Sequence, residues 1–434
     1  MNILFLTSSS YSHIICLKNV IKHLVNRKET IFCISTTENQ KILEEFGAKF
    51  ISYPDSIIPV SIRKEIMEQL DSAEMRSIKK DDIRKWYDIA LEKDIEMLYD
   101  MTEDQVSKLE KIILDNHIDI IFRDAVDKYG EVIAKRLNMP LISYSTHNLY
   151  SLNYLNGDKE RIPLFFNCIY NDINKVLPEN YFDDYEERAL SFHKKFAQKY
   201  NTYTLPILHQ FNLNQELNLI LSTDFFQPKE SLNDDKKYSI LYPDVAEETV
   251  NISLELRDFI NKHKKVIYIS SGSILGHSAI YYIKFISNLK QFGYGIVVSC
   301  FRESEILKKW VVEKGYSDFV YISDWIPQKY VLKHSALFVT HGGNNSIMES
   351  IYNGVPMLVT PTSSEQRMNG LIIEENGMGY TMVKDRNDHI SVGKMIYNLL
   401  NDNSFLDKMN YYSAKYRSHI NDYSLMDGFI DEFR

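Results

Sequence analysis

Cysteine is scarce in this chain of 434 residues, and its placement gives no sign of a metal site or a disulfide framework. The chain has four cysteines, and no two of them form a Cys-x-x-Cys pair, so neither a zinc ribbon nor a disulfide scaffold is indicated. A reducing compartment fits this cysteine usage best. The four residues are Cys16, Cys33, Cys168 and Cys300.

Long apolar runs and an excess of basic residues are also lacking. No apolar run approaches the roughly 20 residues that a membrane-spanning helix needs, and the apolar residues 3–6 lack the basic leader of a signal peptide. We therefore expect a cytoplasmic protein without stable membrane insertion. Lys and Arg number 50 against 59 Asp and Glu, and the formal charge of −9 opposes binding to nucleic acid. No nucleic-acid partner is expected.

Several short motifs of well-known enzyme classes are missing. The chain contains no Gly-x-Gly-x-x-Gly, no Gly-x-x-x-x-Gly-Lys, no Gly-x-Ser-x-Gly and no His-Glu-x-x-His. Their absence argues against dehydrogenases, P-loop NTPases, α/β-hydrolases and zincin metalloproteases. There is no Asp-x-Asp pair to hold Mg²⁺ or Mn²⁺ on a phosphate. The sequence therefore predicts neither a metal nor another cofactor.

What the chain does contain is short apolar runs that alternate with helical patterns, which predicts a parallel, doubly wound sheet. The pattern occurs twice. Predicted strands of the first half are residues 3–6, 30–35, 118–122 and 140–144, and those of the second are 265–269, 294–299, 319–322, 336–340 and 356–360. A polar segment at 228–237 is the predicted linker. We expect a domain at 1–235, with a helical insertion at about 60–116, and a domain at 236–434 whose last helix packs back on the first.

The most informative stretch begins at Trp325. An apolar run ends at Thr340, two glycines allow close approach of the backbone, and Asn345 and Ser346 open an amphipathic helix. Free backbone N–H groups and the positive dipole end of such a helix can hold a phosphate. Asn and Ser are also ordinary helix caps, and Gly-Gly is an ordinary turn. These local features alone leave both interpretations open.

The whole stretch from Trp325 to Asn369 resembles the signature of the UDP-dependent glycosyltransferase superfamily, which includes plant secondary-product enzymes and bacterial macrolide-type enzymes. It contains Trp-x-Pro-Gln, Val-Leu-x-His, Thr-His-x-Gly-x-Asn-Ser-x-x-Glu, Gly-Val-Pro and an acidic residue before Gln. The resemblance implies the GT-B fold, an α/β fold in which two Rossmann-like doubly wound domains face a central cleft. It also implies two partners, a UDP-sugar and a small-molecule acceptor.

The same resemblance implies roles for individual residues on the side of the sugar nucleotide. Trp325 would stack on uracil, while Gln328 and Glu349 would hold the ribose hydroxyls. Four residues of the turn and helix, named at the end of this paragraph, would face the diphosphate, together with Ser273 from a Gly-Ser turn. Glu365 and Gln366 would bind hydroxyls of the transferred sugar. The diphosphate residues are His341, Gly343, Asn345 and Ser346.

Three positions in and next to this stretch depart from the family pattern. Asn344 stands where Trp or Met is usual, Glu365 replaces the Asp of plant members, and Gly370 follows Asn369 where Ala is common. These departures concern the identity of the sugar more than the site for uridine diphosphate.

The turn after the first predicted strand carries Ser12-His13, which matches the histidine-bearing turn of the family. A histidine at the carboxyl end of a strand can take a proton from a hydroxyl near neutral pH. Its family partner is an aspartate, for which Asp124 is the candidate. Two other interpretations remain for the local sequence: Asp124 pairs with Arg123 or caps the next helix, or Asp119 is the partner.

Together these features predict an inverting, metal-independent glycosyltransferase. It would move a hexose, with glucose favoured, from a UDP-sugar to a hydroxyl of a small lipophilic acceptor such as a macrolide or phenolic natural product. The aromatic-rich residues 144–170 are expected to help bind the acceptor. Two alternatives are a sugar-nucleotide epimerase of the same architecture and a catalytically silent binding or activator protein.

Overall fold

The computed structural model describes most of the chain, with several gaps. Described are residues 1–57, 101–158, 161–166, 187, 191, 194–195, 198–199, 213, 215–232, 235–246, 251–272, 278–300, 303–382 and 391–434. Of the predicted helical insertion, only residues 101–116 are among them. Ser273, the expected phosphate donor of the Gly-Ser turn, and Cys168 also lie outside the described residues.

The chain divides into two compact units, each of which contains one parallel sheet. The first unit comprises Met1–Lys159, Asn174–Asp244 and Asn421–Arg434, and the second comprises Glu160–Ile173 and Val245–Ile420. The two-domain α/β Rossmann-like fold predicted from the alternating pattern is therefore confirmed. The predicted boundary at 235/236 is wrong in detail, because the strand at 237–241 pairs within the first sheet and the chain leaves that unit after Asp244.

The first sheet has seven strands in the order β3-β2-β1-β4-β5-β6-β7, and every neighbouring pair is parallel. Their bounds are β1 Asn2–Leu6, β2 Thr30–Ser35, β3 Lys49–Ser52, β4 Ile120–Asp124, β5 Leu141–Ser145, β6 Leu217–Leu221 and β7 Lys237–Leu241. The described helices of this unit are α1 Tyr11–Cys16, α2 Lys18–Asn26, α3 Gln40–Phe46, α4 Glu103–Asp115, α5 Gly130–Leu137, α6 Leu152–Asn156 and α16 Ser424–Asp431, with 3₁₀ turns at Thr37–Asn39 and Lys229–Ser231.

Both faces of the first sheet are covered, which explains why its strands read as continuous apolar runs. Along β1, Ile3 and Phe5 join the core on one face, whereas Leu4 and Leu6 join the core on the other. Three side chains of the last helix, α16, extend the first of these cores. Residues 421–434 therefore belong to the first unit although they follow the second in sequence.

The second sheet has six strands in the order β10-β9-β8-β11-β12-β13, again all parallel. The strands are β8 Val266–Ser270, β9 Gly295–Ser299, β10 Val320–Ser323, β11 Ser335–Thr340, β12 Met357–Val359 and β13 Gly379–Thr381. The described helices are α7 Arg161–Phe166, α8 Leu254–His263, α9 Ala279–Leu289, α10 Ser304–Glu313, α11 Gln328–Lys333, α12 Asn344–Asn353, α13 Ser364–Glu375, α14 Val392–Asn401 and α15 Asn403–Ser418, with a 3₁₀ turn at Lys290–Phe292.

Strand order reverses direction once in each sheet, and ligands of open α/β sheets bind at the carboxyl ends of the strands at this point. In the first sheet the reversal lies between β1 and β4, and in the second it lies between β8 and β11. We therefore expect the functional residues to lie in the loops that follow these four strands.

Candidate functional site

His13 and Asp124 meet at the reversal point of the first sheet. His13 lies in α1, beyond the end of β1, and Asp124 is the last residue of β4. The His13 Nδ1 atom lies 2.8 Å from Asp124 Oδ2, and the side chains are 17% and 0% exposed, respectively. The carboxylate thus engages the Nδ1 atom of the imidazole and fixes the orientation of the ring. The structure thus brings together the two residues predicted for proton transfer.

The Asp124 carboxylate is ionised although it is buried. Burial by itself would raise the pKa of Asp124, but the charge and hydrogen bond of His13 outweigh it and, with the backbone N–H of Val126, lower this pKa. An ionised partner fixes the imidazole tautomer and stabilises the imidazolium that forms when His13 takes up a proton.

The two alternative partnerships do not occur in the structure. The guanidinium of Arg123 donates to Ser143 Oγ at 2.9 Å and to the carbonyl of Asp127 at 2.8 Å instead of pairing with Asp124. Asp119 accepts a hydrogen bond from the backbone N–H of Asn2 at 2.7 Å. Asp124 Oδ1 binds the N–H of Val126 in the following turn, and α5 begins only at Gly130.

Arg123 belongs to a second buried charge cluster behind the base, which the sequence analysis does not identify. Asp127 accepts from the backbone N–H of Gly130 at 2.6 Å, and burial raises its pKa to about 6. Burial also raises the pKa of Glu131, whose carboxylate oxygens have no hydrogen-bond partner among the described residues. The two carboxyl groups that interact electrostatically with this guanidinium thus have raised pKa values, because burial outweighs its positive charge.

A further histidine of the first unit, His147, lies beside His13. The ring centroids are 6.3 Å apart and the ring planes are nearly perpendicular at 78°. His147 follows β5 and no family motif includes it, so the only sequence signal was its place at the carboxyl end of a strand. Of the aromatic-rich segment expected at the acceptor, the described residues Tyr144, Tyr150 and Tyr154 are buried.

In the second unit, the loop after β11 is packed around His341. A methyl group on Gly343 would lie 2.5 Å from His341 Nε2, and one on Gly272 would lie 2.7 Å from its Cε1 atom. Gly272 and Gly342 also have φ values of +77° and +88°, which other residues rarely adopt. The glycines therefore allow the imidazole to sit against the backbone of both turns, beyond the ends of β8 and β11.

The capping interpretation of this turn is not supported. The helix α12 begins at Asn344, its N-cap residue is Gly343, and no side chain caps it. Asn345 and Ser346 both lie in its first turn, where backbone N–H groups lack partners within the helix. This end of α12 combines the features of an anion site with the imidazole of His341 beside it.

Three predicted residues of the nucleotide site form one hydrogen-bond cluster. Gln328 Nε2 donates to Glu349 Oε2 at 2.7 Å and to Ser346 Oγ at 3.2 Å, while Tyr268 donates to Gln328 Oε1 at 3.3 Å. Gln328 opens α11, and Ser346 and Glu349 lie on α12. The structure thus brings together groups predicted to face ribose and phosphate.

Trp325 differs from the rest of the cluster because its side chain is 65% exposed. Its backbone is held by Ser323, whose hydroxyl donates to the Trp325 carbonyl at 2.9 Å. A large aromatic ring exposed on a fixed backbone offers a stacking surface for a flat ligand. Trp325 is therefore not a core residue of the second unit.

Glu365 and Gln366 lie in the first turn of α13. Gln366 Oε1 accepts from both the backbone N–H and the hydroxyl of Thr362, at 2.7 and 2.9 Å. Its NH₂ group is thus the part of the amide that can bind a ligand. Glu365 Oε1 accepts from Asn369 at 3.3 Å, and Asn369 also donates to the Gly342 carbonyl at 2.9 Å. This links the predicted sugar residues to the phosphate turn.

Two polar side chains next to this pair were missed by the sequence analysis. Ser363, at the N-cap position of α13, and Arg367, one turn later, are buried, and Ser363 Oγ and Arg367 Nε have no hydrogen-bond partner among the described residues. Of the departures, Gly370 has a packing explanation, because a methyl group there would lie 2.5 Å from Thr381 Cγ2. Asn344 is buried at the start of α12.

No cluster of three or more His, Cys, Asp or Glu side chains suited to a metal ion occurs within the described residues. In the same part of the chain, no helix is long and apolar enough to cross a membrane.

Comparison with known proteins gives a family match to both units. Residues 2–165 and 246–417 match the model of the family described as UDP-glucoronosyl and UDP-glucosyl transferase. The uncharacterized UDP-glucosyltransferase YdhE of Bacillus subtilis is 30% identical over 193 residues, which cover 44% of this chain and 47% of YdhE. The NDP-glycosyltransferase YjiC of the same organism is 23% identical over 305 residues, covering 70% of this chain and 69% of YjiC.

The match therefore spans about half the length of YdhE and over two thirds of YjiC. Among solved structures, the glycotransferase of kitacinnamycin has the same fold, with a TM-score of 0.71 and 18% identity over 100% of this chain and 99% of that one.

Proposed function

This chain belongs to the UDP-glucoronosyl and UDP-glucosyl transferase family, and from that premise we propose that it is an inverting, metal-independent glycosyltransferase. It moves a hexose from a UDP-sugar to a hydroxyl group of a small lipophilic acceptor, such as a macrolide or phenolic natural product. The observation that carries the proposal is the contact of 2.8 Å between His13 and Asp124 at the reversal point of the first sheet.

His13 is the general base of the proposed reaction. With Nδ1 bound to Asp124, its Nε2 removes the proton of the acceptor hydroxyl. The acceptor oxygen forms a bond to the anomeric carbon while the bond from that carbon to the diphosphate oxygen breaks, and UDP leaves. Attack from the face opposite the leaving group inverts the anomeric centre, so an α-linked donor gives a β-glycoside.

The second unit binds the sugar nucleotide. The start of α12, with His341, Asn345 and Ser346, stabilises negative charge on the departing diphosphate. Ser273, which the structure does not describe, is proposed to add one more hydroxyl donor. Glu349 and Gln328 bind the ribose, and the exposed ring of Trp325 stacks on uracil.

Glucose is the proposed sugar. The Gln366 NH₂ group and the Glu365 carboxylate lie on the first turn of α13 and suit neighbouring equatorial hydroxyls. The unpartnered Ser363 hydroxyl adds a third polar group at the same turn. A site built to bind hydroxyls rejects analogues that lack them, because its polar groups are left unpaired. A deoxysugar donor is therefore expected to be poor.

The test is to incubate the protein with UDP-glucose, with and without mixed phenolic and macrolide acceptors, and to measure UDP release and the mass and anomeric configuration of the product. We expect UDP release only with acceptor, and a β-glycoside. Conversion of UDP-glucose alone to another UDP-hexose would support an epimerase. Binding of UDP-glucose without any turnover would support a silent binding protein.

A matched variant tests the sugar contacts. Gln366→Ala should reduce turnover of UDP-glucose far more than it weakens binding of free UDP, because the amide faces the sugar and not the nucleotide. Equal losses for UDP and UDP-glucose, or a preference of the wild type for a thymidine-linked deoxysugar, would contradict the assignment.

A further inference from the structure

Residues 7–10 form the loop between β1 and α1, and we call them the base loop because His13 follows them directly. The loop is bound to the next strand at its start, where the Ile34 carbonyl accepts from the backbone N–H of Thr7 at 3.3 Å and from its hydroxyl at 2.7 Å. At its end, the Ser10 carbonyl accepts from the backbone N–H of His13 at 2.9 Å. The position of His13 therefore depends on that of the base loop.

Asn39 binds the middle of the base loop. It is the buried last residue of the 3₁₀ turn that follows β2. Its Nδ2 atom donates to the Ser9 carbonyl at 3.0 Å, to Ser35 Oγ at 3.1 Å and to Thr36 Oγ1 at 3.3 Å. Two of these three acceptors belong to the same segment as Asn39, at the end of β2. The contact with Ser9 is the one that joins this segment to the base loop.

Tyr53 binds the start of the base loop from the next strand along the sheet. It directly follows β3, and its hydroxyl donates to the Thr7 carbonyl at 2.7 Å. Burial raises the pKa of Tyr53 well above its ordinary value, and the negative charges of Asp127 and Asp124 raise it further. The phenol therefore stays protonated at neutral pH and remains a donor to the loop.

The strand order explains why these two residues reach the base loop. Strands β1, β2 and β3 are parallel neighbours, so their carboxyl ends meet at one edge of the sheet. Asn39 and Tyr53 follow β2 and β3 and bind the base loop on that side. Asp124 ends β4, the neighbour of β1 on its other side, and binds His13 there. The base and its loop are thus bound from both sides of β1.

We infer that Asn39 and Tyr53 are positioning residues for proton transfer. They fix the base loop, so that His13 keeps its contact of 2.8 Å with Asp124 and meets the acceptor hydroxyl in one geometry. They act through His13, and the inference rests on the proposed function, in which His13 is the general base. Catalysis is sensitive to such support, because a displacement of about 1 Å can lower a rate by about 10².

The first experiment is the substitution Asn39→Asp, which keeps the shape of the side chain. A carboxylate oxygen can accept a hydrogen bond from the Ser35 hydroxyl, but it cannot donate to the Ser9 carbonyl. We expect kcat to fall by up to about 10². The KM for UDP-glucose and the affinity for UDP should stay unchanged, because the residues proposed to bind the nucleotide are in the second unit.

Ser35→Ala is the matched control. It removes another contact of the same Asn39 amide and leaves the contact with Ser9 in place. Its kcat should stay within a few-fold of wild type, even if thermal unfolding shows a loss of stability like that of Asn39→Asp. Equal losses in kcat for the two variants, or a kcat of Asn39→Asp within a few-fold of wild type, would show that Asn39 only stabilises the fold and would overturn the inference.

Tyr53→Phe tests the same loop by removing one oxygen atom, and it decides the question if Asn39→Asp does not fold. We expect a lower kcat with an unchanged KM for UDP-glucose, because the Thr7 carbonyl loses its donor while the ring still fills its place. A wild-type kcat for this variant would contradict the positioning role.

A measurement that needs no turnover separates this inference from the proposed function. The proton between His13 Nδ1 and Asp124 should give a low-field NMR signal, which is assigned by its loss in His13→Gln. The signal should broaden or disappear in Asn39→Asp and Tyr53→Phe and persist in Ser35→Ala. If it does so while no acceptor is glucosylated, the transferase proposal fails and the positioning of His13 stands. If the wild type is an active transferase and neither the signal nor kcat changes in the two variants, only the positioning inference is wrong.

Discussion

The two units hold their candidate residues in opposite ways. In the first, the residues come from distant parts of the sequence, since 111 positions separate His13 from Asp124, and the key carboxylate is buried. In the second, the residues come from one stretch, with 21 positions between Gln328 and Glu349, and the aromatic platform Trp325 is exposed. Proton transfer needs a carboxylate that stays ionised through its partner although it is buried, whereas nucleotide binding needs a surface that a ligand can reach.

Replacing the proposed base in the first unit should have the largest effect on the rate of transfer. His13→Ala should lower kcat by about 10² to 10⁴, the usual contribution of a general base. UDP affinity should stay unchanged, because the residues proposed to bind UDP are in the second unit. The measurements are initial rates and calorimetric titration with UDP, with His419→Ala, an exposed histidine, as the control. Activity within a few-fold of wild type would refute the assignment.

A second prediction concerns stability and is specific to the first unit. The pKa of Asp127 is raised to about 6 by burial, so its protonated form contributes stability that is complete below the unfolded pKa and is lost as the pH rises through about 6. Asp127→Asn keeps an oxygen for the Gly130 N–H and carries no charge. The variant should gain on the order of 2 kcal/mol over wild type between pH 4.5 and 7.5.

Urea unfolding at the two pH values measures this change, and Asp119→Asn, an exposed carboxylate, serves as the control. The opposite sign, with the variant losing stability relative to wild type as the pH rises, would mean that pairing with Arg123 holds the pKa of Asp127 below its ordinary value.

The complementary prediction concerns the second unit alone. Trp325→Ala should weaken UDP binding by about 1–3 kcal/mol, the value of stacking an aromatic ring on a base. Trp325→Phe should recover part of the loss. Because the side chain is 65% exposed, neither variant should lower the unfolding temperature appreciably. Unchanged UDP affinity of the alanine variant by calorimetry would rule out the stacking role.

The same contrast explains what the sequence could and could not predict. The nucleotide-site residues other than Ser273 lie in one continuous stretch, so a pattern could include them all. His147 could not be found in this way, because its nearness to His13 arises only when β5 pairs with β4. Likewise, no pattern shows that Arg123 binds Ser143 and not its sequence neighbour Asp124.

Strands, too, were predictable only where the local sequence carries a clear signal. The buried strands β1, β2, β4 and β5 are evident as apolar runs. The edge strand β3 is only four residues long and is half-exposed, so it lacks that signal. β7 has Lys237 at its start and follows the polar segment taken as a linker, which is why the predicted boundary fell before it.

The smallest expected effect is that of removing divalent metal. A chelator such as EDTA should leave the rate unchanged, because the proposed diphosphate site consists of the start of α12, the imidazole of His341 and the Ser346 hydroxyl. A metal-dependent enzyme would instead need carboxylates near the phosphates. Glu349, farther along α12, accepts a hydrogen bond from Gln328 and is assigned to the ribose, and the chain has no Asp-x-Asp pair. Rates are compared after EDTA treatment and after addition of Mg²⁺ or Mn²⁺. A strict requirement for Mn²⁺ would show that charge on the leaving diphosphate is neutralised by a cation, so that the helix end and His341 do not suffice.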